Sequence, residues 1–101
     1  MNVASLQLEG LIMAVASINQ VLVRKRLLTM EEVDRALRKV EAAMIDDSRL
    51  EELSPAHRDA VNFPLRALQI TNNCPPEADI PSFADVARMV GEMKPAYNDQ
   101  R

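Results

Sequence analysis

The chain has 101 residues, enough for one domain with a modest core and too few for two. Apolar residues make up 48% and charged residues 27%, which excludes the low-hydrophobicity, high-charge composition of a disordered chain. The formal net charge of −3 is spread evenly, with seven acids and six bases in residues 1–47 against eight and six in residues 48–101, which excludes a basic half that would grip nucleic acid.

Only Phe63, Phe83 and Tyr97 are aromatic, so the core must come from aliphatic residues and six methionines, a palette suited to helix packing. The expected fold is all-α, a small bundle of four main helices in a single domain over residues 1–95, with a frayed tail at 96–101.

The first helix is predicted over residues 3–28. Ala4, Leu8, Leu11, Val15, Ile18 and Leu22 recur at alternating spacings of three and four, a seven-residue repeat that marks a packing seam. Ile12, Ala14, Val21 and Leu28 widen it into the face of a bundle helix. Gly10 is its weak point. The uninterrupted apolar run LIMAVASI, residues 11–18, is too short to cross a bilayer, and no basic residue precedes it as in a secretory signal.

Thr29 stands three residues before Glu32, the spacing of a capping box, and Leu28 and Val33 flank it at the spacing of a hydrophobic staple. A second helix therefore runs from Met30 to about Ile45, with Val33, Ala36, Leu37, Val40, Ala43 and Met44 on one stripe. Two helices joined by so short a corner should lie side by side as an antiparallel hairpin, the first longer by some ten residues, an overhang of about 15 Å. Arg24, Lys25 and Arg26 oppose the dipole at the end of helix one, while Glu31 with Arg35 and Asp34 with Arg38 make i,i+4 pairs.

Ser48 and Glu51 have the spacing of another cap, and Ser54-Pro55 is a serine cap with proline at the first helical position. The third helix that follows carries Ala56, Ala60, Val61, Leu65 and Leu68, and is expected to break or kink at Pro64 with Phe63 turned into the core. Residues 70–82 read as a loop in which Asn72 or Asn73 takes the left-handed conformation and three prolines forbid helix. Ser82 and Asp85 suggest a capping box for a last helix carrying Phe83, Val86, Ala87, Val90 and Met93, stopped at Lys94-Pro95.

No catalytic constellation emerges. His57 and Cys74 are the single histidine and cysteine, with no third orienting group, and they read as a solvated side chain and a small loop-closing one. The acidic pairs Asp46-Asp47, Glu51-Glu52 and Glu77/Asp79 match no calcium loop and have no neighbouring histidine, and no glycine-rich phosphate loop exists. No cofactor and no metal is implied. Methionines 13, 44, 89 and 93 read as gap fillers in an aliphatic core.

The sequence thus points to a non-enzymatic helical protein that self-associates or docks on a protein partner through the helix-one stripe, with Ala4, Leu8, Leu11 and Val15 as the association face. A homodimer is the expected form, the cytoplasm the expected compartment given a lone cysteine, and no membrane is expected. The alternative is a helix-turn-helix nucleic-acid regulator using Arg24, Lys25, Arg26, Arg35, Arg38 and Lys39, against which stand the acidic balance and the acidic start of helix two.

Overall fold

A computed structural model describes residues 3–45 and 54–93. These residues form four α-helices and no strand: α1 (Val3–Arg24), α2 (Met30–Ile45), α3 (Pro55–Asn72) and α4 (Phe83–Met93). The all-α architecture matches the sequence expectation. The cap expected at residues 48 and 51, the stop at 94–95 and the tail at 96–101 lie outside the described residues.

α3 is the hub. It packs against α1, α2 and α4, whereas α1 and α2 scarcely touch each other. The corner at Thr29 therefore joins two helices that each lean on α3, and a side-by-side hairpin of α1 and α2 is not the packing unit.

α1 ends at Arg24, four residues before its expected limit. The Leu27 N–H donates to the Leu22 carbonyl (3.0 Å) and the Arg26 N–H to the Val23 carbonyl (2.9 Å), the paired bonds of a Schellman ending. Arg26 takes φ 63°, in the left-handed region. That conformation lets the chain leave the helix at once and costs an L-residue about 1–2 kcal/mol. Two residues later the capping box closes as expected: the Thr29 N–H donates to Glu32 Oε1 (2.8 Å), and the Glu32 N–H donates to Thr29 Oγ1 (3.0 Å). Leu28 is half-buried and Val33 buried, as a staple requires. With 22 residues in α1 and 16 in α2, the difference is six residues, about 9 Å and not 15 Å.

Ser54 caps α3, its Oγ accepting from the His57 N–H (3.2 Å), and Pro55 follows at the first position. The helix then continues through Pro64 to Asn72, so the expected break does not occur. Proline inside a helix costs roughly 3 kcal/mol. Packing on three neighbours offsets that cost, and Phe63, just before the proline, does turn toward the core, where its ring meets Phe83 edge-on at 5.8 Å and 66°. α3 ends at Asn73, which keeps a right-handed φ of −83° while its N–H is shared among the carbonyls of the last turn. The left-handed asparagine expected here is absent; among the described residues only Arg26 has a positive φ. Ser82 Oγ accepts from the Asp85 N–H (3.2 Å) at the start of α4. The reciprocal half of that box is missing because aspartate is one methylene shorter than the glutamate that serves α2.

The core is narrow: Ile12 and Ala16 of α1, Ala67 and Leu68 of α3, and Val86 and Val90 of α4. Ala16 and Ala67, 3% and 0% exposed, keep the facing helices close. α2 contributes Val33 as a buried residue and Leu37 at the core margin, while Val40 points outward. Met13, Met44 and Met89 are half-buried fillers, and Met93 is exposed.

Candidate association face

α1 is apolar on nearly every side, so its sequence offers two faces that could be buried. The structure buries the one centred on Ile12 and Ala16 and leaves the heptad seam toward solvent. Ala4 is exposed, Leu8, Leu11 and Ile18 are 39%, 62% and 59% exposed, and Val15 and Leu22 are half-buried at the margin. Val21 and Val3 extend the exposed band along the same side. Gly10 also faces open space, since a Cβ built there would touch nothing, so it marks no close helix contact. The seam expected to hold the bundle together is thus the surface it presents, and the four residues named as its association face all lie on or beside it.

Sequence reasoning found this stripe but gave it the wrong neighbour. The signal that separates the faces is size: a 12/16 face ending in alanine admits α3, while the 8/11/18 face of leucines and isoleucine does not let another helix of this chain come as near. Along the edge of the stripe, Leu8, Glu9, Ala56, Asp59, Phe63 and Phe83 line an open hollow of about 410 Å³.

The far end of α1 is fastened to the α3–α4 loop. Gln20 Nε2 donates to the Ala78 carbonyl, and an Arg24 guanidinium nitrogen donates to the Pro76 carbonyl at 3.4 Å. Asn72 Nδ2 donates to the Met30 carbonyl (2.9 Å) and so ties the end of α3 to the start of α2. Further along that interface, Arg66 reaches Asp59 Oδ1 at 2.9 Å and Glu41 Oε2 at 3.5 Å, and Gln69 Nε2 donates to Glu41 Oε1 at 3.1 Å. This clasp was not legible in the sequence, because its members stand on two helices with no local pattern linking them. Two acceptors nearby, Asp59 Oδ2 and Asn62 Oδ1, are buried without a hydrogen-bond partner, a cost the fold carries.

The six bases of the nucleic-acid alternative are partly spent. Arg24 holds the loop, and Arg38 donates to Asp34 Oδ2 at 2.8 Å, a hydrogen bond and charge that raise its pKa. Glu31 and Arg35 do not close the ion pair expected of them, as exposed i,i+4 side chains often do not. The hollow beside Arg35 and Arg38 is also lined by Glu31 and Asp34, a mixed-sign surface. Lys25, Arg26 and Lys39 are exposed.

His57 is exposed and Cys74 half-buried, its thiol donating to the Ile70 carbonyl at 3.6 Å. Among the described residues no three metal-ligating side chains cluster. α1, taken as a whole and not as its uninterrupted run, is long and apolar enough to cross a membrane by length and composition alone, and little of it is buried. Compared with known proteins, the chain matches no protein family, no curated protein and no solved structure.

Proposed function

We propose that this chain is a small, non-enzymatic, cytosolic interaction module that associates with protein through the exposed seam of α1. The observation that carries the reading is the exposure of Leu8, Leu11 and Ile18 at heptad spacing, at 39%, 62% and 59%. A monomer gains nothing by keeping that much regular apolar surface in water, and repeated exposed stripes of this kind mark association surfaces. The 3-4 spacing is the one that lets a helix pack lengthwise on another helix.

The energetics are sufficient without being large. Burying the exposed remainder of an aliphatic side chain is worth about 1–2 kcal/mol, so several such residues on each partner offset the roughly 4–15 kcal/mol lost on association only narrowly. The consequence is a reversible, concentration-dependent interaction and not a permanent oligomer. Sedimentation velocity over a micromolar concentration series tests it: the mass should rise with concentration, and a strict monomer throughout, with no partner protein needing the seam, removes the reading.

A further inference from the structure

Resting on that reading, we propose that the occupant of the α1 seam is a second copy of this chain, docked antiparallel so that Leu8 of one copy meets Ile18 of the other and Leu11 meets Val15. Three observations select this arrangement. The first is register. The six seam positions are symmetric about residue 13, so an antiparallel pair brings Ala4 against Leu22, Leu8 against Ile18 and Leu11 against Val15. Every layer then sets a larger side chain against a smaller or branched one, which is how facing helices interdigitate. A parallel pair would set Ala4 against Ala4 and leave a gap at that end. It would also place leucine at 8 and 22 and isoleucine at 18 in the reverse of the positions that favour parallel two-stranded packing.

The second is charge. Within α1 the sole acid is Glu9, and the bases stand together at Arg24, Lys25 and Arg26 around its far end. A parallel pair would hold two such cation groups roughly 10 Å apart, at the usual separation of packed helices. An antiparallel pair separates them by nearly the length of the helix, about 33 Å for 22 residues, well beyond the screening length of about 8 Å at physiological salt. It also turns each cation group toward the end that carries Glu9 and Asp59 in the partner copy. The seam flanks Gln7, Ala14 and Val21 bear no charge to oppose either order, so the bases decide it.

The third is what α1 is already attached to. Its opposite face is committed to α3 through Ile12 and Ala16, and its end to the loop through Gln20 and Arg24. A helix so held offers one lengthwise strip, the shape a second such strip fits, and crossing a bilayer would strip those contacts away.

Mixed disulfide formation tests the orientation on the full chain. In a Cys74→Ser background, chains carrying Leu8→Cys are mixed under mild oxidation with chains carrying Ile18→Cys, and each is also oxidised alone. The expected result is an efficient crosslink in the mixture and little in either sample alone. As a second measurement, Val3→Cys carrying a spin label should give an inter-label distance of about 30 Å, twice ten residues of helix rise. A crosslink of Leu8→Cys with itself and a separation near 10 Å would overturn the antiparallel order while leaving self-association standing. A monomer that shows neither crosslink nor dipolar coupling removes self-association itself. Co-sedimentation of the monomer with phosphatidylcholine–phosphatidylglycerol vesicles, lost on Leu11→Lys, would overturn the proposal by assigning the seam to lipid.

Discussion

Leu11 and Ile12 are neighbours in sequence with opposite fates, and their substitution separates folding from association. Leu11 is 62% exposed and Ile12 is 2% exposed. Fully burying a leucine is worth about 1.5–3 kcal/mol, so covering the part of Leu11 still in water contributes about 1–2 kcal/mol per copy, or about 2–4 kcal/mol across a two-fold interface that uses it twice. Leu11→Ala forfeits most of that, which weakens self-association roughly 30- to 700-fold at about 1.4 kcal/mol per decade. The same change in the dilute monomer removes little buried surface and should move the unfolding free energy by no more than about 0.5 kcal/mol. Ile12→Ala reverses the pattern, costing about 2–5 kcal/mol of folding stability through lost contacts and a cavity beside Ala16 and Ala67. The assay pairs sedimentation velocity, for the association constant, with urea unfolding at the lowest workable concentration, for the monomer. Wild-type protein that self-associates while Leu11→Ala associates equally well would refute the assignment of the seam. A Leu11→Ala monomer destabilised as much as Ile12→Ala would show that the seam faces the core after all.

The other predictions concern the fold that presents the seam. Arg26→Gly should stabilise the chain by about 0.5–1 kcal/mol, since relief of the left-handed conformation at φ 63° exceeds the greater chain entropy that glycine loses on folding; a urea midpoint that shifts upward with unchanged slope is the readout, and a downward shift contradicts it. Thr29→Ala removes the acceptor of the Glu32 N–H and should cost about 1 kcal/mol, read as reduced stability and as faster amide exchange in the first turn of α2. Arg66→Met keeps the aliphatic stem but leaves Asp59 and Glu41, whose side chains are only 13% and 19% exposed, without their cation, so it should cost about 2–4 kcal/mol and loosen α2 from α3. An unchanged unfolding free energy in that variant would mean that the clasp adds nothing net.

What the sequence discloses and what it hides follow from the range of the interactions. The Thr29–Glu32 box, the Ser54-Pro55 start of α3 and the four helices were readable because each depends on residues within a turn or two. The Schellman ending at Arg26 was missed because no glycine marks it; an arginine bears the left-handed strain where glycine would have signalled it. Continuity through Pro64 was missed for a different reason: the local penalty was read correctly, but packing of α3 on three neighbours overrides it. The same nonlocality hid the hub position of α3 and the Arg66 clasp. In α3 the residues that turn inward include Asn62, Gln69, Thr71 and Asn72, and a reading that looks for apolar stripes passes over polar side chains buried by their partners.

The candidate face was both found and misread, and the misreading is informative. A seven-residue repeat in a helix states that the helix can pack lengthwise on another helix, and is silent about whether that helix belongs to the same chain. Here the internal partner is chosen by Ile12 and Ala16, whose small size lets α3 approach, and the repeat is left over. A bundle that spends a four-residue step of α1 on its own core while a longer, more regular series of leucines and isoleucine stays in water has divided one helix between two tasks. The core that results is correspondingly narrow, with Val86 and Val90 its largest fully buried side chains. So small a core leaves limited stability in reserve, and any protein that covers the seam adds to it by mass action, coupling the persistence of the fold to the concentration of its partner.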